Sequence, residues 1–497
     1  MSDPGCLRLP LSVYPGMSRF VLDWLGGDQR FLKRGPAADR SEWRRPAPEL
    51  VAALEGSNRA WGLEVGDQLK AWASGETVTI VAGQQVGFGG GPLYTLAKVA
   101  TLLKMKRELQ ALGKRVTAFF WLATEDHDLD EVAQLSVPGD LELIHLRATG
   151  ARRSRRAVGP MPVPESLITE LKTLFPEAGG VWLRPGVNFR DSFAALLGSV
   201  IGSELILIDS LLPELRRAGQ PLFTKVFQRW EVIQATLQKR SLELEDAGYT
   251  PQVGARESGG HTLFFEIDDR GDRNIIETPR TIAPERTSTS ALTRPLLQDF
   301  VLQPDVFVGG PAEVSYYAQL APLHELLQIR VPSVALRGHL LLATRGMLRF
   351  IDRYGIDPVA IFSSPDAMLE VLKPEAVASV KREAAEGKKE LMRRIERIGD
   401  LALPADHALA RAINRSIGHI EYHFSKLTER AIKGIVRKDR ERYSAARDLV
   451  TALRPDGKVQ DRVAGWFPFW CRHGRYLIDR MVEEVDPDAD TFKVIAI

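Results

Sequence analysis

The sequence predicts an α/β protein with a doubly wound parallel sheet and a long helical hairpin towards the C-terminal end. Three observations predict this fold. A strand, a glycine-rich turn, a helix and a second strand follow one another over residues 76–123, which is the order of a βαβ unit. Further short apolar runs alternate with helical stretches up to about residue 374. Beyond that point, two series of apolar residues repeat at coiled-coil spacing.

Composition narrows the classes of protein to consider. The 497 residues are 44% hydrophobic and 26% charged, enough for two or three structural units. Sixty-six basic and 64 acidic residues leave a net charge of +2, so we expect no nucleic-acid groove and no polybasic membrane surface. The two cysteines, Cys6 and Cys471, exclude a disulfide framework and fit a reducing cytoplasm. We find no signal peptide and no run of about 18 apolar residues, so we expect a cytoplasmic protein without membrane spans.

The βαβ unit is the clearest element. Residues 76–82 are rich in β-branched side chains and predict a strand, and residues 83–91 form a glycine-rich loop. Pro92 suits the first turn of a helix. This helix carries apolar residues at three- and four-residue spacing and ends at Gly113, after which residues 116–123 predict the next strand.

Four further apolar runs predict strands at Leu141–Leu146, Leu205–Asp209, Asp305–Gly310 and Pro332–Leu336. With helices between several of them, they indicate a Rossmann-like core over residues 1–374. Two regions, about 138–198 and 238–277, fit the alternation poorly and are interpreted as insertions into that core.

The C-terminal region divides in two. Apolar series from Val377 to Leu401 and from Leu409 to Ala431 predict two helices, interrupted near Pro404, that pair as an antiparallel hairpin over residues 375–453. Such a long hairpin is typical of a dimer interface, so we expect a homodimer. The tail 454–497 contains Trp466, Phe467, Phe469 and Trp470, enough apolar surface to dock back on the core.

The loop "GQQVGFGGGP" follows a strand and opens a helix, where free N–H groups attract anions. It is neither a P-loop, because no GK[ST] follows, nor GxGxxG, because Pro92 holds the third glycine position. A tight turn alone would need fewer than its five glycines. The loop is therefore a candidate anion or carboxylate site.

The stretch "FFWLATEDHDLDE" begins as an apolar strand and ends in five carboxylates and a histidine. Ligands of α/β sheets bind outside the carboxyl ends of strands, and this end should share a crevice with the glycine loop. If the strand continues, Asp126 and Asp128 share one face while Glu125 and His127 share the other. A capping turn would need one acid, so proton transfer is the favoured role. We expect no metal, because adjacent residues seldom converge on one ion and no second histidine is near in sequence.

Other motifs are weaker. "GGPAEVSYY" is another strand-end glycine turn, and "TSTSALTRP" offers Arg294, which could fork onto a carboxylate. "HIEYH" on the second long helix lacks the acid that a zinc protease has after its first histidine, and no GxSxG is present.

Four segments in this order carry a resemblance to a known family: "GQQVGFGGGPLYTLAK", "FFWLATEDHDLDE", "TRPLLQD" with "VGGPAEVSYYAQL", and "RPDGKVQDRV". Together they resemble the BshC family, the bacillithiol biosynthesis cysteine-adding enzymes. The chain departs from the family pattern in the loop Phe88–Gly91 and near Thr124, where we would expect a bulkier loop and a glycine. The HIGH signature of class I synthetases is absent, and no KMSKS-like loop is evident.

The resemblance implies a ligase that forms a carbon–nitrogen bond between cysteine and the glucosamine amine of glucosaminyl-malate, the last step of bacillithiol biosynthesis. It also implies a Rossmann-like fold with connecting-peptide insertions, related to class I nucleotidyltransferases, and a coiled coil that dimerises. Because a carboxylate is a poor acyl donor, we expect activation by a nucleotide, ATP or ADP. Two alternatives stay open: an adenylate-forming nucleotidyltransferase acting on another small acid, and a nucleotide-sensing coiled-coil scaffold.

The predicted site residues fall into three groups. Candidate catalytic groups, one of them the base for the amine, are Asp126, His127 and Asp128. Candidate substrate-binding residues are Gly83, Gln84, Gln85, Gly87, Tyr94, Thr95, Glu125, Arg294, Gly310, Pro311, Glu313 and Tyr316. A nucleotide could instead lie near Gln460 and Arg462, between the coiled coil and the core.

Overall fold

The computed structural model describes residues 5–34, 43–139, 142–148, 155–252, 263–363, 375–402, 409–438 and 440–497. Contacts between residues divide the chain into two compact units. Among the described residues, one unit comprises those up to Arg345 together with Lys458–Ile497, and the other comprises those of Gly346–Gly457. The helical unit therefore begins earlier than the expected boundary at residue 374, while the tail from Lys458 groups with the core.

Thirteen strands lie within the described ranges. They are β1 Cys6–Pro10, β2 Val78–Gln84, β3 Val116–Leu122, β4 Gln134–Pro138, β5 Leu143–Arg147, β6 Ile206–Asp209, β7 Phe264–Ile267, β8 Arg273–Ile275, β9 Thr287–Thr289, β10 Val306–Gly309, β11 Ser333–Leu336, β12 Leu340–Ala343 and β13 Thr491–Ala496.

The α-helices of the core unit connect and cover these strands. They are Arg19–Leu25, Pro48–Ala60, Gly66–Ala73, Leu93–Ala111, Leu129–Val132, Glu165–Leu174, Phe189–Ile201, Pro213–Ala218, Gln220–Gln228, Trp230–Asp246, Thr293–Leu302, Pro311–Leu327, Gln460–Val463, Phe467–His473 and Arg475–Glu484.

A five-stranded parallel sheet is the centre of the core unit as far as the chain is described. Its order is β11-β10-β2-β3-β6, and every neighbouring pair runs parallel. All seven side chains of β3 are buried, which explains why this strand appears in the sequence as one continuous apolar run. The chain builds outwards from β2 first to one side and then to the other, so the strand order reverses between β2 and β10. This is the doubly wound, Rossmann-like arrangement that the sequence predicts.

One predicted strand lies elsewhere. The run at residues 141–146 corresponds to β5, which pairs antiparallel with β4 in a separate hairpin instead of joining the central sheet. Only Leu143 and Leu146 of its five side chains are buried, and the other three are exposed. β5 is therefore mostly a surface strand, unlike the buried strands of the central sheet.

The tail completes a second sheet, in which β13 lies between β1 and β12. β13 pairs antiparallel with β1, so that Cys6 lies opposite Ile495, and parallel with β12. Helix Arg475–Glu484 packs on helix Leu93–Ala111 of the βαβ unit. The tail is thus an integral part of the core unit.

The glycine loop after β2 is packed against this tail. Trp466 donates its indole N–H to the Gly90 carbonyl over 2.7 Å, and Leu93 at the start of the helix donates its N–H to Ala464. A Cβ atom on Gly90 would lie 2.2 Å from the Trp466 ring, so only glycine fits there. The N–H groups of Gly90 and Gly91 donate within the loop. These contacts overturn the expectation that the glycine-rich part of the loop is an open anion site.

The second unit is helical. Its long helices are Glu375–Ala402 and Leu409–Lys438, and the helices Arg345–Arg353, Pro358–Ser363 and Arg440–Leu453 flank them in sequence. Gly387 faces Phe424 and Gly399 faces Ile413, so the two long helices run antiparallel as predicted. The predicted break at Pro404 lies outside the described residues. None of the helices in the described part of the chain is long and apolar enough to cross a membrane.

Substituting Gly90 with alanine tests the packing of the tail on the glycine loop. We expect Gly90→Ala to lower the free energy of unfolding by about 1–3 kcal/mol beyond the cost of its left-handed backbone, because the new methyl group overlaps Trp466. Denaturant unfolding followed by circular dichroism measures the loss.

Gly62→Ala is the matched control. Gly62 has the same φ of +83° as Gly90, but a Cβ atom there meets nothing within 4 Å. The backbone cost of about 1–2 kcal/mol is therefore common to both variants. Equal destabilisation by the two substitutions would show that the contact with Trp466 does not constrain the loop.

Candidate functional site

A cavity of about 710 Å³ opens at the carboxyl ends of the central strands. Four strand ends line it, through Gly83–Gln85 at the end of β2, Glu125–His127 after β3, Gly310–Glu313 after β10 and Arg337 after β11. The strand order reverses between β2 and β10, and doubly wound proteins bind ligands at such a switch point. The volume falls within the usual range for small-molecule sites.

Glu125 is a buried carboxylate that lines this cavity. Its carboxylate accepts hydrogen bonds from Arg216, Ser288 and both the backbone N–H and the hydroxyl of Thr289, at 2.6–2.8 Å. Burial alone would raise the pKa of Glu125, but the charges of Arg216 and Arg273 and the bond from Thr289 hold it below the ordinary value. With both oxygens occupied, this carboxylate joins β3 to β9 and to helix Pro213–Ala218, and it is not free to bind a substrate.

Asp126 and His127 follow at the mouth of the same strand end. Gln85 Nε2 donates to Asp126 Oδ2 over 2.5 Å, and the His127 backbone N–H donates to Oδ1 over 2.7 Å. Arg273 Nη1 lies 2.8 Å from His127 Nδ1. A guanidinium can only donate, so Nδ1 accepts and the proton of the neutral imidazole lies on Nε2. His127 is therefore arranged as a donor, which leaves Asp126 as the better placed base.

Asp128 turns away from this cavity. Its Oδ1 accepts the Glu131 backbone N–H, so it caps helix Leu129–Val132. β3 ends at Leu122, and the expected strand alternation that would have put Asp126 and Asp128 on one face does not extend to them. Glu131 lines the cavity instead. Loss of solvent around its carboxyl group, with Asp126 and Asp128 nearby, raises the pKa of Glu131, although the residue as a whole stays exposed.

A buried lysine that the sequence did not single out lies behind the β2 end. Lys98 Nζ is 2.8 Å from the Gly83 carbonyl, 2.9 Å from Gln84 Oε1 and 2.5 Å from Glu313 Oε2. Burial lowers the pKa of Lys98 from its ordinary value, and Glu313 opposes that change. Glu313 also accepts the Gly310 N–H over 2.8 Å. Burial would raise the pKa of Glu313, but Lys98 and Arg294 lower it.

Two further arginines line the cavity. The Arg294 guanidinium is 3.9 Å from Glu313 and 3.5 Å from Gln298, both loose contacts. Arg462 is exposed and lines the cavity. Burial raises the pKa of Tyr316, on which the charges of Arg294 and Asp126 also act. The cavity is thus lined by both a cation, Arg294, and a carboxylate, Asp126.

Most predicted residues meet in this cavity. Besides those of the strand ends, Tyr94, Arg294, Tyr316 and Arg462 line it. Four do not: Asp128 caps a helix, Gly87 lies in the packed loop, Thr95 is buried in helix Leu93–Ala111, and Gln460 bonds the Leu342 backbone through both amide atoms. Among the described residues no group of His, Cys, Asp and Glu is arranged to hold a metal ion.

Four residues that line the cavity are not among the predicted site residues: Lys98, Glu131, Arg273 and Arg337. Lys98 leaves one signal in the sequence, a charged residue within the apolar first half of its helix, four residues after Tyr94. Arg273 leaves none, because β8 belongs to a region interpreted as an insertion. It reaches the cavity by stacking on Phe265, 4.1 Å from its ring centre, and by bonding Ser288 and the Thr289 carbonyl.

The fold and the cavity define a Rossmann-like protein with a small-molecule site at the switch point of its sheet. Family models agree with this class. The model of the BshC N-terminal Rossmann-like domain of bacillithiol biosynthesis matches residues 28–282 and 278–338, and that of the BshC C-terminal coiled-coil domain matches residues 340–497. The chain therefore belongs to the BshC family.

Curated relatives extend over nearly the whole chain. A protein of Solibacter usitatus is 29% identical over 482 residues, covering 90% of each chain. One of Koribacter versatilis is 28% identical over 533 residues, covering 97% of each, and one of Bacillus anthracis is 26% identical over 456 residues, covering 84% of each. Each of these three proteins is named "Putative cysteine ligase BshC".

The contacts of Glu125 generate a stability prediction. We expect Glu125→Gln to destabilise the protein by about 3–5 kcal/mol at pH 7, because it leaves Arg216 buried without its counter-charge. The pKa of Glu125 is lowered by folding, so its contribution is complete above the ordinary value of 4.5 and is lost as pH falls below that value. The difference between wild type and variant should therefore shrink below pH 4.5. Urea unfolding across pH 3–7 measures it.

Glu76→Gln provides the exposed counterpart. Glu76 pairs with Arg115 on the surface, with both side chains more than half exposed. Such pairs contribute about 0–1 kcal/mol. If the two variants lose similar stability at pH 7, the Glu125 cluster is not the anchor described above.

Proposed function

We propose that this chain is a cysteine ligase, which forms the amide bond between the carboxyl group of cysteine and the amine of glucosaminyl-malate. The names of its relatives support the ligase assignment. The observation that carries the substrate assignment is the mixed charge of the cavity, which is lined by the carboxylates of Asp126 and Glu131 and by the cations of Arg294 and Arg462. An amine needs a carboxylate beside it, and a malyl group needs cations.

Asp126 is the proposed base. Its two oxygens accept one hydrogen bond each from Gln85 and the His127 backbone, so lone pairs remain for an ammonium hydrogen. His127 would donate through Nε2 to a developing negative charge on the acyl oxygen. Arg294 would hold a malyl carboxylate, because its contacts to Glu313 and Gln298 are too long to satisfy a guanidinium.

Activation of the cysteine carboxylate requires a nucleotide, with ATP as the proposed activator. When bound, ATP would turn a carboxylate oxygen into a leaving group. Arg462, exposed at the rim of the cavity, suits its phosphates. The glycine loop does not, because Gly90 and Gly91 use their N–H groups internally and Ala464 occupies the N–H of Leu93.

A deletion strain tests the proposed activity directly. In a source strain without this gene, thiol profiling by mass spectrometry should show loss of bacillithiol and accumulation of glucosaminyl-malate, both reversed by the wild-type gene. Unchanged bacillithiol in the absence of a second gene copy would refute the ligase.

Asp126→Asn should lower the rate of ligation by about 10²–10⁴-fold, because the amide cannot take a proton from the amine. The assay combines cysteine, ATP and glucosaminyl-malate with the purified variant and measures the thiol product. Asp128→Asn is the matched control, since asparagine caps a helix as well as aspartate does and Asp128 lies outside the cavity. A greater loss in the Asp128 variant would move the base to that residue.

We also propose that the helical hairpin forms a homodimer. Large apolar side chains remain exposed on it, with Ile398 at 61%, Leu401 at 77% and Leu427 at 66%. Contact with a second copy would remove that surface from water. Sedimentation velocity should show a dimer for wild type and a monomer for Ile398→Glu with Leu427→Glu. A wild-type monomer at micromolar concentration would contradict the assembly.

A further inference from the structure

The buried Lys98 fixes the direction of a chain of hydrogen bonds that ends in the cavity. Its Nζ contacts three oxygens, those of Gly83, Gln84 and Glu313, at 2.5–2.9 Å. Because the Glu313 carboxylate is ionised beside it, Lys98 is an ammonium group with three donors and no acceptor. The atom of Gln84 that faces Lys98 must therefore be the amide oxygen.

This orientation leaves the Gln84 amide nitrogen facing Tyr94. Nε2 lies 3.1 Å from the Tyr94 hydroxyl oxygen. An amide nitrogen can only donate, so the Tyr94 oxygen accepts this bond and its own hydrogen points elsewhere. The hydrogen bonds among the described residues include no acceptor for that hydrogen.

The surroundings of Tyr94 indicate what the hydrogen meets. Tyr94 lines the cavity, and the Arg337 guanidinium lies 5.4 Å from its ring centre, with Lys98 Nζ at 5.9 Å. Burial raises the pKa of Tyr94 to about 12, so the phenol keeps its hydrogen at neutral pH. The carboxylates of Glu131 and Glu313 also act on this hydroxyl. Glu313 is held by Lys98, and no hydrogen bond joins Glu131 to Tyr94 among the described residues. The phenol hydrogen is therefore left for an acceptor oxygen of a ligand.

We propose that Tyr94 donates its hydroxyl hydrogen to a carboxylate oxygen of the ligand, and that Lys98 sets this direction through the amide of Gln84. Lys98 is a positioning residue, since it acts through Gln84 and Tyr94. The inference rests on the proposed function for the identity of the ligand, a malyl carboxylate of glucosaminyl-malate. Tyr94 is then the side chain that selects for a carboxylate, because the bond from Gln84 fixes the direction of its hydrogen.

A double-mutant cycle on binding tests this arrangement. Tyr94→Phe removes only the hydroxyl group. Gln84→Glu keeps the size of the side chain and its contact with Lys98, but a carboxylate accepts where the amide donates, so Tyr94 would turn its hydrogen towards residue 84. Titration calorimetry with glucosaminyl-malate, without cysteine or nucleotide, measures the dissociation constant for both single variants and the double variant.

We expect Tyr94→Phe to weaken binding about tenfold in the wild-type background, the loss of one hydrogen bond to a charged group, and to change nothing in the Gln84→Glu background. Repulsion between the introduced carboxylate and the ligand is common to both members of that second comparison and cancels. Tyr476→Phe, on an exposed tyrosine of helix Arg475–Glu484, is the control for the chemical change. Thermal melting confirms that each variant is folded.

The outcomes separate this inference from the proposed function. Equal loss from Tyr94→Phe in both backgrounds, or no loss in either, overturns the donor arrangement. If the cycle behaves as expected but wild type forms no amide with cysteine and ATP, the donor stands and the ligase fails. If wild type does not bind glucosaminyl-malate, both fail.

Discussion

The buried contact between Glu125 and Arg216 is the constraint on which the site depends. It joins the end of β3 to helix Pro213–Ala218, and through Ser288 and Thr289 it also fixes β9. β9 pairs with β7, and β7 with β8, which carries Arg273 to His127. A carboxylate taken out of water is stable only with its hydrogen-bonding capacity filled. That requirement fixes the end of β3, helix Pro213–Ala218, β9 and β8 relative to one another. It thereby positions His127 and Arg273 beside Asp126.

The glycine loop shows how a familiar pattern can serve another purpose. In dinucleotide-binding proteins the turn after the first strand leaves N–H groups open to phosphate. Here Trp466 lies against Gly90, and the Ala464 carbonyl accepts the Leu93 N–H at the start of the helix. The glycines permit close approach of the chain's own tail. The cavity beside this loop is lined instead by side chains, among them Gln84 and Gln85 at the end of β2 and Asp126 after β3.

The sequence predicts features that depend on one segment of the chain, and it does not predict contacts between distant segments. The βαβ unit, the strands Leu205–Asp209, Asp305–Gly310 and Pro332–Leu336, and the antiparallel hairpin depend on periodicity within one element, and the structure has them. The cavity at the strand ends follows from topology. The side chains that complete it do not: whether Glu125 or Asp126 faces the ligand depends on Arg216, 91 residues away. Likewise, Arg273 lies in an insertion whose sequence has no clear periodicity. Lys98 is paired with Glu313, which is distant in sequence. The strand at 141–146 was predicted, but its partner β4 was not, because an apolar run does not specify its partner strand.

The pairing of β1 with β13 has a consequence for biosynthesis. β1 is translated early, but its partner β13 is translated only after the whole helical unit Gly346–Gly457. Until Lys458–Ile497 has emerged from the ribosome, the apolar face behind Gly90 lacks Trp466, and β12 lacks a neighbour on the side that β13 occupies. The nascent chain therefore carries an unfinished core while residues 346–497 are translated, a period in which chaperones would find exposed strand edges to bind. A premature stop codon before Trp466 would leave the core unit without both β13 and the indole that packs on Gly90.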